Sequence, residues 1–149
     1  MNLPIMLEEG AFMPEYKTRG SSGFDLAYRG GETLTLEPGK IVPVPTGIHA
    51  SIPEGYEIQV RPRSGLASKQ GITVINTPGT IDSDYRGEII VPVINMSSFT
   101  RFIKPGDRIA QGVVCPVIVV EFTVVVNLED LGETERGSGG LGHTGINTN

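Results

Sequence analysis

The sequence predicts an all-β domain, and three observations carry that prediction. Short runs alternate apolar with polar residues, as in Gly23-Phe24-Asp25-Leu26-Ala27-Tyr28, which is the period of a half-buried strand. The 149 residues include 20 Gly and 11 Pro, and these cluster between the runs as turn signals. No amphipathic helical period competes with them. At this length one domain suffices, and it buries about two-thirds of its unfolded surface.

Taken in order, Leu3 to Leu7 reads as a short first strand and Tyr16 to Ser22 as the loop behind it. Phe24 to Tyr28 follows as a strand whose Asp25 lies on the face opposite Phe24 and Leu26. Glu37-Pro38-Gly39-Lys40 is a type II turn signal and predicts a hairpin of Thr33–Leu36 with Ile41–Val44. Gly47–Ile52 and Tyr56–Val60 are two more strands, joined across Pro53-Glu54-Gly55. Arg61 to Gly71 breaks the β pattern, and Ser64 followed by Leu66-Ala67 opens a short helix there. Unsatisfied amides at such an opening, with Arg63 beside them, favour an anion. The same residues read equally well as a plain cap and a surface cation.

Val74 to Ile94 is predicted as a hairpin whose wide tip, Gly79 to Glu88, carries Asp82, Asp84, Tyr85 and Arg86. An acidic tip alone is ordinarily a solvated turn. Here a carboxylate, an aromatic ring and a cation share the tip, and several other polar, glycine-rich stretches await a common ligand. Phe99–Ile103 and Ile109–Val114 flank a further turn, Lys104-Pro105-Gly106-Asp107, with Gln111 beyond it. Val117 to Val126 loses the alternation and predicts a strand apolar on both faces. One face packs on its own core; an identical partner is the economical cover for the other, which predicts a homo-oligomer.

From Asn127 the chain turns acidic, then glycine-dominated from Arg136 to Gly145, with no core-forming period. The expected division is a β-barrel domain over 1–131 and a flexible arm over 132–149. Gly137 to Thr144 approximates a Walker loop with His143 in place of the lysine, but it neither follows a buried strand nor opens a helix. Its glycine amides, with Arg136, His143 and Thr144, suit an arm that wraps a phosphate.

The net charge of −5 disfavours non-specific nucleic-acid binding, so cations for an anionic ligand must be local. A lone cysteine, Cys115, makes no internal disulfide and lies in an apolar run where a buried thiol is expected. The N-terminus has no basic region and too short an apolar core for a signal peptide. Val113 to Val126 is interrupted by Pro116 and Glu121 and falls short of a membrane span. A soluble, cytoplasmic protein is the expectation.

An acid on a strand, an Arg-Ser-Gly break, an acidic-aromatic tip, Gln111 and a glycine-rich arm together suit a nucleoside triphosphate with a divalent metal. Five motifs in order, GFDLAY at Gly23–Tyr28, PRSGLA at Pro62–Ala67, GTIDSDYRGE at Gly79–Glu88, GDRIAQ at Gly106–Gln111 and RGSGGLGHTG at Arg136–Gly145, make the chain resemble the trimeric dUTPase family along nearly its whole length. The resemblance implies a homotrimer of jelly-roll subunits with active sites at subunit interfaces. It also implies Mg²⁺ on the triphosphate and hydrolysis of dUTP to dUMP and pyrophosphate, limiting uracil in DNA and supplying dUMP for dTMP synthesis.

By the same resemblance Asp82 activates the attacking water, and Tyr85 lies under the deoxyribose. Asn76 with the backbone of Gly79 and Ile81 reads uracil; Arg63, Ser64, Gly65 and Gln111 hold phosphates. Asp25 reaches the metal through water, and Arg136, Gly142, His143 and Thr144 close on the γ-phosphate from a neighbouring subunit. Leu141 stands where the family usually has an aromatic ring that stacks on the base. Two other readings share part of this pattern. A dCTP deaminase has the same fold but needs an acid and base at the pyrimidine amino group, a signature not found here. A non-catalytic nucleotide sensor would have no use for Asp82, Tyr85 and the arm together.

Overall fold

The computed structural model describes residues 1–141 and 143, and the chain divides into two units, Met1–Ile118 and Val119–Asn149. The first is an all-β jelly roll. Its strands are β1 (Ile5–Leu7), β2 (Phe24–Ala27), β3 (Leu34–Leu36), β4 (Ile41–Pro45), β5 (Ile48–Ala50) and β6 (Tyr56–Arg61). A helix α1 (Ser64–Gln70) intervenes, and β7 (Ile72–Val74), β8 (Gly79–Ile81), β9 (Ile90–Asn95), β10 (Arg101–Ile103) and β11 (Arg108–Pro116) follow. All pairings are antiparallel, in sheets ordered β2-β11-β6-β8 and β4-β9-β7 with the pairs β1-β5 and β3-β10.

The inward positions are filled by Leu26, Leu36, Val44, Ile48, Ile58, Val91, Val93, Ile103 and Ile109, all essentially inaccessible to solvent. Each such side chain contributes about 1.5–3 kcal/mol through burial. Two buried polar residues are satisfied: Asn95 donates from Nδ2 to Leu36 O and Phe99 O, each at 2.8 Å, and Thr46 Oγ1 donates to Ile89 O at 2.6 Å. They join strands that are distant in sequence.

Three expectations are corrected. The Pro38-Gly39 turn forms, with Gly39 at φ 73° and Lys40 N donating to Glu37 O at 3.1 Å, but its flanking strands do not pair. β3 pairs with β10, while β4 pairs with β9. Turn chemistry fixes where the chain reverses; which strand receives the ladder is decided by packing, and in a jelly roll the chain changes sheets at its corners. The Val74–Ile94 segment is likewise more than a hairpin. β7 and β9 do pair, Val74 opposite Val93, but the tip contains β8, which crosses to pair with β6. Residues 75–89 therefore form a strap between two sheets.

The third correction concerns Val117–Val126. β11 ends at Pro116, Val117 N donates to Gly55 O at 2.8 Å, and no strand follows among the described residues. Among the described residues this run has no ladder partner, and Ile118, Val119, Phe122, Val124 and Val126 are exposed. Within the second unit, Asn127 caps a single 3₁₀ turn, Leu128–Leu131, reciprocally with Asp130. Cys115 is half-buried on β11, its Sγ 3.7 Å from Arg61 Nη2.

Candidate active site

The polar residues of the first unit gather in two places. One is a cleft of about 320 Å³ lined by Asp25, Arg63, Ser64, Gly65, Arg108 and Gln111. Asp25 projects from β2 opposite Gln111 on β11, and Gln111 is opposite Arg61 at the end of β6. Arg63, two residues further on, is the N-cap residue of α1, in extended conformation, and Ser64 is the first helical residue rather than the cap. Asp25 lies between two guanidiniums: Arg63 Nε is 3.0 Å from Oδ1, and Arg108 Nη1 is 2.7 Å from Oδ2. Arg63 also donates to Arg108 O at 3.1 Å, and Gln111 Nε2 donates to Pro62 O at 2.9 Å. Two cations share one carboxylate, so the cleft retains positive charge in a chain of net charge −5.

Arg108 was not among the predicted site residues, and Lys17, Ser21 and Ser22, which line the same cleft, were missed with it. The reason for Arg108 is a bulge. Arg108 pairs with Ala27, yet Ala110 pairs with Leu26, so one extra residue puts Arg108 on the face that carries Asp25. Strict alternation from Gln111 would send it to the other side. The turn motif Gly106-Asp107 just before it is the signal that was available.

The second place is the strap. Gly79 is buried beside Asn76, so closely that a Cβ there would lie 3.0 Å from Asn76 Nδ2. Beyond β8, Tyr85 N donates to Asp82 O at 3.2 Å and closes a turn that presents Asp82 and the Tyr85 ring to solvent. Tyr85 OH donates to Glu88 O at 2.9 Å, and a Cβ on Gly87 would collide with that ring. Arg86 Nη1 donates to Ser83 O at 2.6 Å and to Tyr85 O at 2.8 Å, closing the tip on itself.

Register separates the two places. Gly79, Thr80 and Ile81 lie opposite Val60, Gln59 and Ile58, so β8 runs away from Arg61 and the cleft, and Asp82 continues past Ile58. Asn76 and Gly79 are at the cleft end of the sheet; Asp82 and Tyr85 are toward the other. One copy of the chain does not bring Asp82 together with Arg63 and Gln111.

Within the second unit, Arg136 Nε donates to Gly139 O at 2.7 Å, Gly137 N donates to Thr134 Oγ1 at 3.1 Å, and His143 N donates to Gly140 O at 3.2 Å. Arg136, Leu141 and His143 are exposed. Gly142 and Thr144 lie outside the described residues.

The dUTPase family model matches residues 9–145. The chain is 59% identical over 139 residues to the deoxyuridine 5'-triphosphate nucleotidohydrolase of Chlamydia pneumoniae, covering 93% of this chain and 94% of that protein. To the enzyme of the same name from Fusobacterium nucleatum it is 50% identical over 145 residues, 97% of each. Among solved structures, a Staphylococcus bacteriophage 80alpha dUTPase mutant with dUpNHpp superposes with a TM-score of 0.83 at 27% identity, covering 97% of this chain and 99% of that one. A phage phi11 dUTPase mutant, described for its coordination of a structural Mg(II) ion, gives 0.77 at 28% identity over 87% and 99% of the two chains. With a family model spanning nearly the whole chain and relatives identical at half or more of their positions, the chain belongs to the dUTPase family of enzymes.

Proposed function

We infer how this chain, as a dUTP diphosphatase, cleaves its substrate: Asp82 of one copy works on a triphosphate held in the polar cleft of another. The observation that carries this reading is the register of β8 on β6, which leads Asp82 away from its own cleft while leaving it exposed. A homotrimer supplies the missing half-site three times over. The exposed apolar run after Pro116 gives such an assembly surface to bury.

In this reading Arg63, Ser64, Gly65 and Gln111 hold the phosphates, and Asn76 with the backbone of Gly79 and Ile81 reads the uracil edge. Uracil offers an N3–H donor and an O4 acceptor; cytosine reverses both, leaving buried groups unpaired. The Tyr85 ring lies under the deoxyribose and leaves no room for a 2′-hydroxyl. Asp82 orients a water and takes its proton as the water oxygen bonds to the α-phosphorus. The bond from that phosphorus to the bridging oxygen breaks, and pyrophosphate leaves with the bridging oxygen. Arg136, Leu141, Gly142, His143 and Thr144 close over the substrate as the arm of a neighbouring copy.

Among the described residues no group of three or more His, Cys, Asp or Glu is arranged to hold a metal. Asp25, a single carboxylate in the cleft lining, would hold Mg²⁺ through a water, which suits an ion that keeps several waters and takes most of its other oxygens from a triphosphate. When bound, the ion neutralises charge on the phosphates. A cellular role in limiting uracil in DNA and providing dUMP follows from the same reaction.

The test is complementation. Chains carrying Asp82→Asn and chains carrying Arg63→Ala should each be nearly inactive in pyrophosphate release from dUTP. Unfolded together and refolded as an equal mixture, they should regain about a quarter of wild-type activity, because random assembly pairs an intact Asp82 with an intact Arg63 at about one site in four. A mixture as inactive as its components sinks the shared-site reading.

A further inference from the structure

A partly exposed cluster of charged residues beside the strap takes no part in the chemistry above. His49, on β5, has both ring nitrogens engaged: Nδ1 is 2.9 Å from Arg86 O, and Nε2 is 2.9 Å from Glu8 Oε1. A carbonyl and a carboxylate are both acceptors, so each contact requires an N–H on the imidazole, and only the doubly protonated ring supplies two. Around it stand Glu8 from the end of β1, Arg29 from the segment after β2, and Arg86 and Glu88 from the strap. Arg29 Nη2 is 2.7 Å from Glu8 Oε2, and Glu88 Oε1 accepts from Gly47 N at 2.7 Å. The Arg86 guanidinium is turned back on its own loop. Glu8, Glu88, Arg29 and a charged His49 sum to zero. A neutral His49 leaves the cluster with one excess negative charge.

We propose that His49 is a positioning residue, whose imidazolium ties the Arg86 carbonyl to Glu8 and so holds the Asp82–Glu88 turn at the height from which Asp82 reaches its water. The tie is short: Arg86 O is held by His49, Arg86 Nη1 holds Ser83 O and Tyr85 O, and Tyr85 N holds Asp82 O. The hydrogen bond to Glu8 raises the His49 pKa above its ordinary value, with that to Arg86 and the charges of Glu8 and Glu88 adding to it against burial. Loss of the second proton at higher pH breaks one of the two contacts and loosens the turn. This rests on Asp82 being the water-activating residue.

Two measurements on the full chain test it. Ring ¹⁵N NMR, assigned by the signal lost in His49→Gln, should show both His49 nitrogens still mainly protonated at pH 6.5, the ordinary midpoint; a neutral tautomer there overturns the proposal without reference to activity. In steady-state kinetics with dUTP, kcat should fall by about threefold to tenfold as pH rises through the His49 titration seen by NMR, the rate equivalent of one hydrogen bond, with KM changing less. His49→Gln keeps one donor but does not titrate, so this limb should vanish from its profile and kcat should sit at the lower plateau at all pH. A limb that persists in that variant belongs to another group and refutes the proposal for His49. Should Asp82→Asn retain near-normal turnover, the catalytic reading fails while the NMR result on His49 stands by itself.

Discussion

Arg63 and Asp25 form an ion pair, Nε to Oδ1 at 3.0 Å, inside the cleft where the phosphates are expected. A triphosphate must therefore compete with Asp25 for the guanidinium. Asp25→Asn relieves that competition, and metal-free affinity for a non-hydrolysable dUTP analogue should rise about twofold to fivefold, the range of a partly exposed pair. The extra affinity conferred by Mg²⁺ should shrink in the same variant. Calorimetry with and without Mg²⁺ checks both signs, and an unchanged Mg²⁺ increment would remove Asp25 from the metal's surroundings.

Asp82→Asn preserves size and hydrogen bonding but cannot accept the proton. Turnover should fall by about 100-fold to 10,000-fold with analogue binding retained. Near-normal pyrophosphate release would show that another group is the base.

Removing residues 136–149 should leave the fold and assembly intact, because none of the described residues of the second unit belongs to the buried core. Catalysis should collapse through loss of the phosphate clamp. Circular dichroism, light scattering and turnover on one preparation separate these outcomes, and either an unfolded product or full activity counts against the arm's role.

Leu141→Phe should improve the enzyme. Stacking a base on an aromatic ring is worth about 1–3 kcal/mol by alanine substitution, of which leucine already recovers part by apolar contact. A remaining gain of about 0.5–1.5 kcal/mol is about a 2-fold to 12-fold rise in kcat/KM. Leu141→Ala should move it the other way. If neither substitution changes the kinetics, residue 141 does not lie over the base.

The Glu8–His49 pair predicts a stability window. The hydrogen bond to His49 lowers the Glu8 pKa from 4.5, with the Arg29 charge adding to it and burial opposing it, so this contribution is lost as pH falls through the folded value. His49 is raised from 6.5, so its contribution is complete below that value and lost as pH rises through the folded one. Between about pH 4.5 and 6.5 both act together. Tm measured against pH should therefore fall off more gently on both sides in Glu8→Gln than in the parent chain, and identical profiles would exclude the pair as a contributor.

Much of this was legible in local sequence. The alternation of Phe24, Asp25 and Leu26 and the two Pro-Gly turns identify strands and reversals, because side-chain period and turn geometry are properties of a few adjacent residues. The departures are all non-local. That β3 joins β10, that β8 leaves its neighbours for β6, and that a bulge brings Arg108 to Asp25 depend on which distant strand packs best. His49, Glu8 and Glu88 gave no signal, since three ordinary polar residues far apart in sequence become a cluster only when β1, β5 and the strap meet.

The sheet ordered β2-β11-β6-β8 joins an early strand to the last one among the described residues, and the polar cleft is built on that seam. A chain emerging from the ribosome thus carries Asp25 and Arg63 throughout the synthesis of residues 64–107 without the strand that supplies Arg108 and Gln111. Until β11 is released, β2 and β6 have no common neighbour, and their exposed edges are open to pairing with other nascent chains. The cleft is consequently completed only at the end of translation, and a ribosome stalled upstream of residue 108 would display a nascent chain that lacks one of its walls.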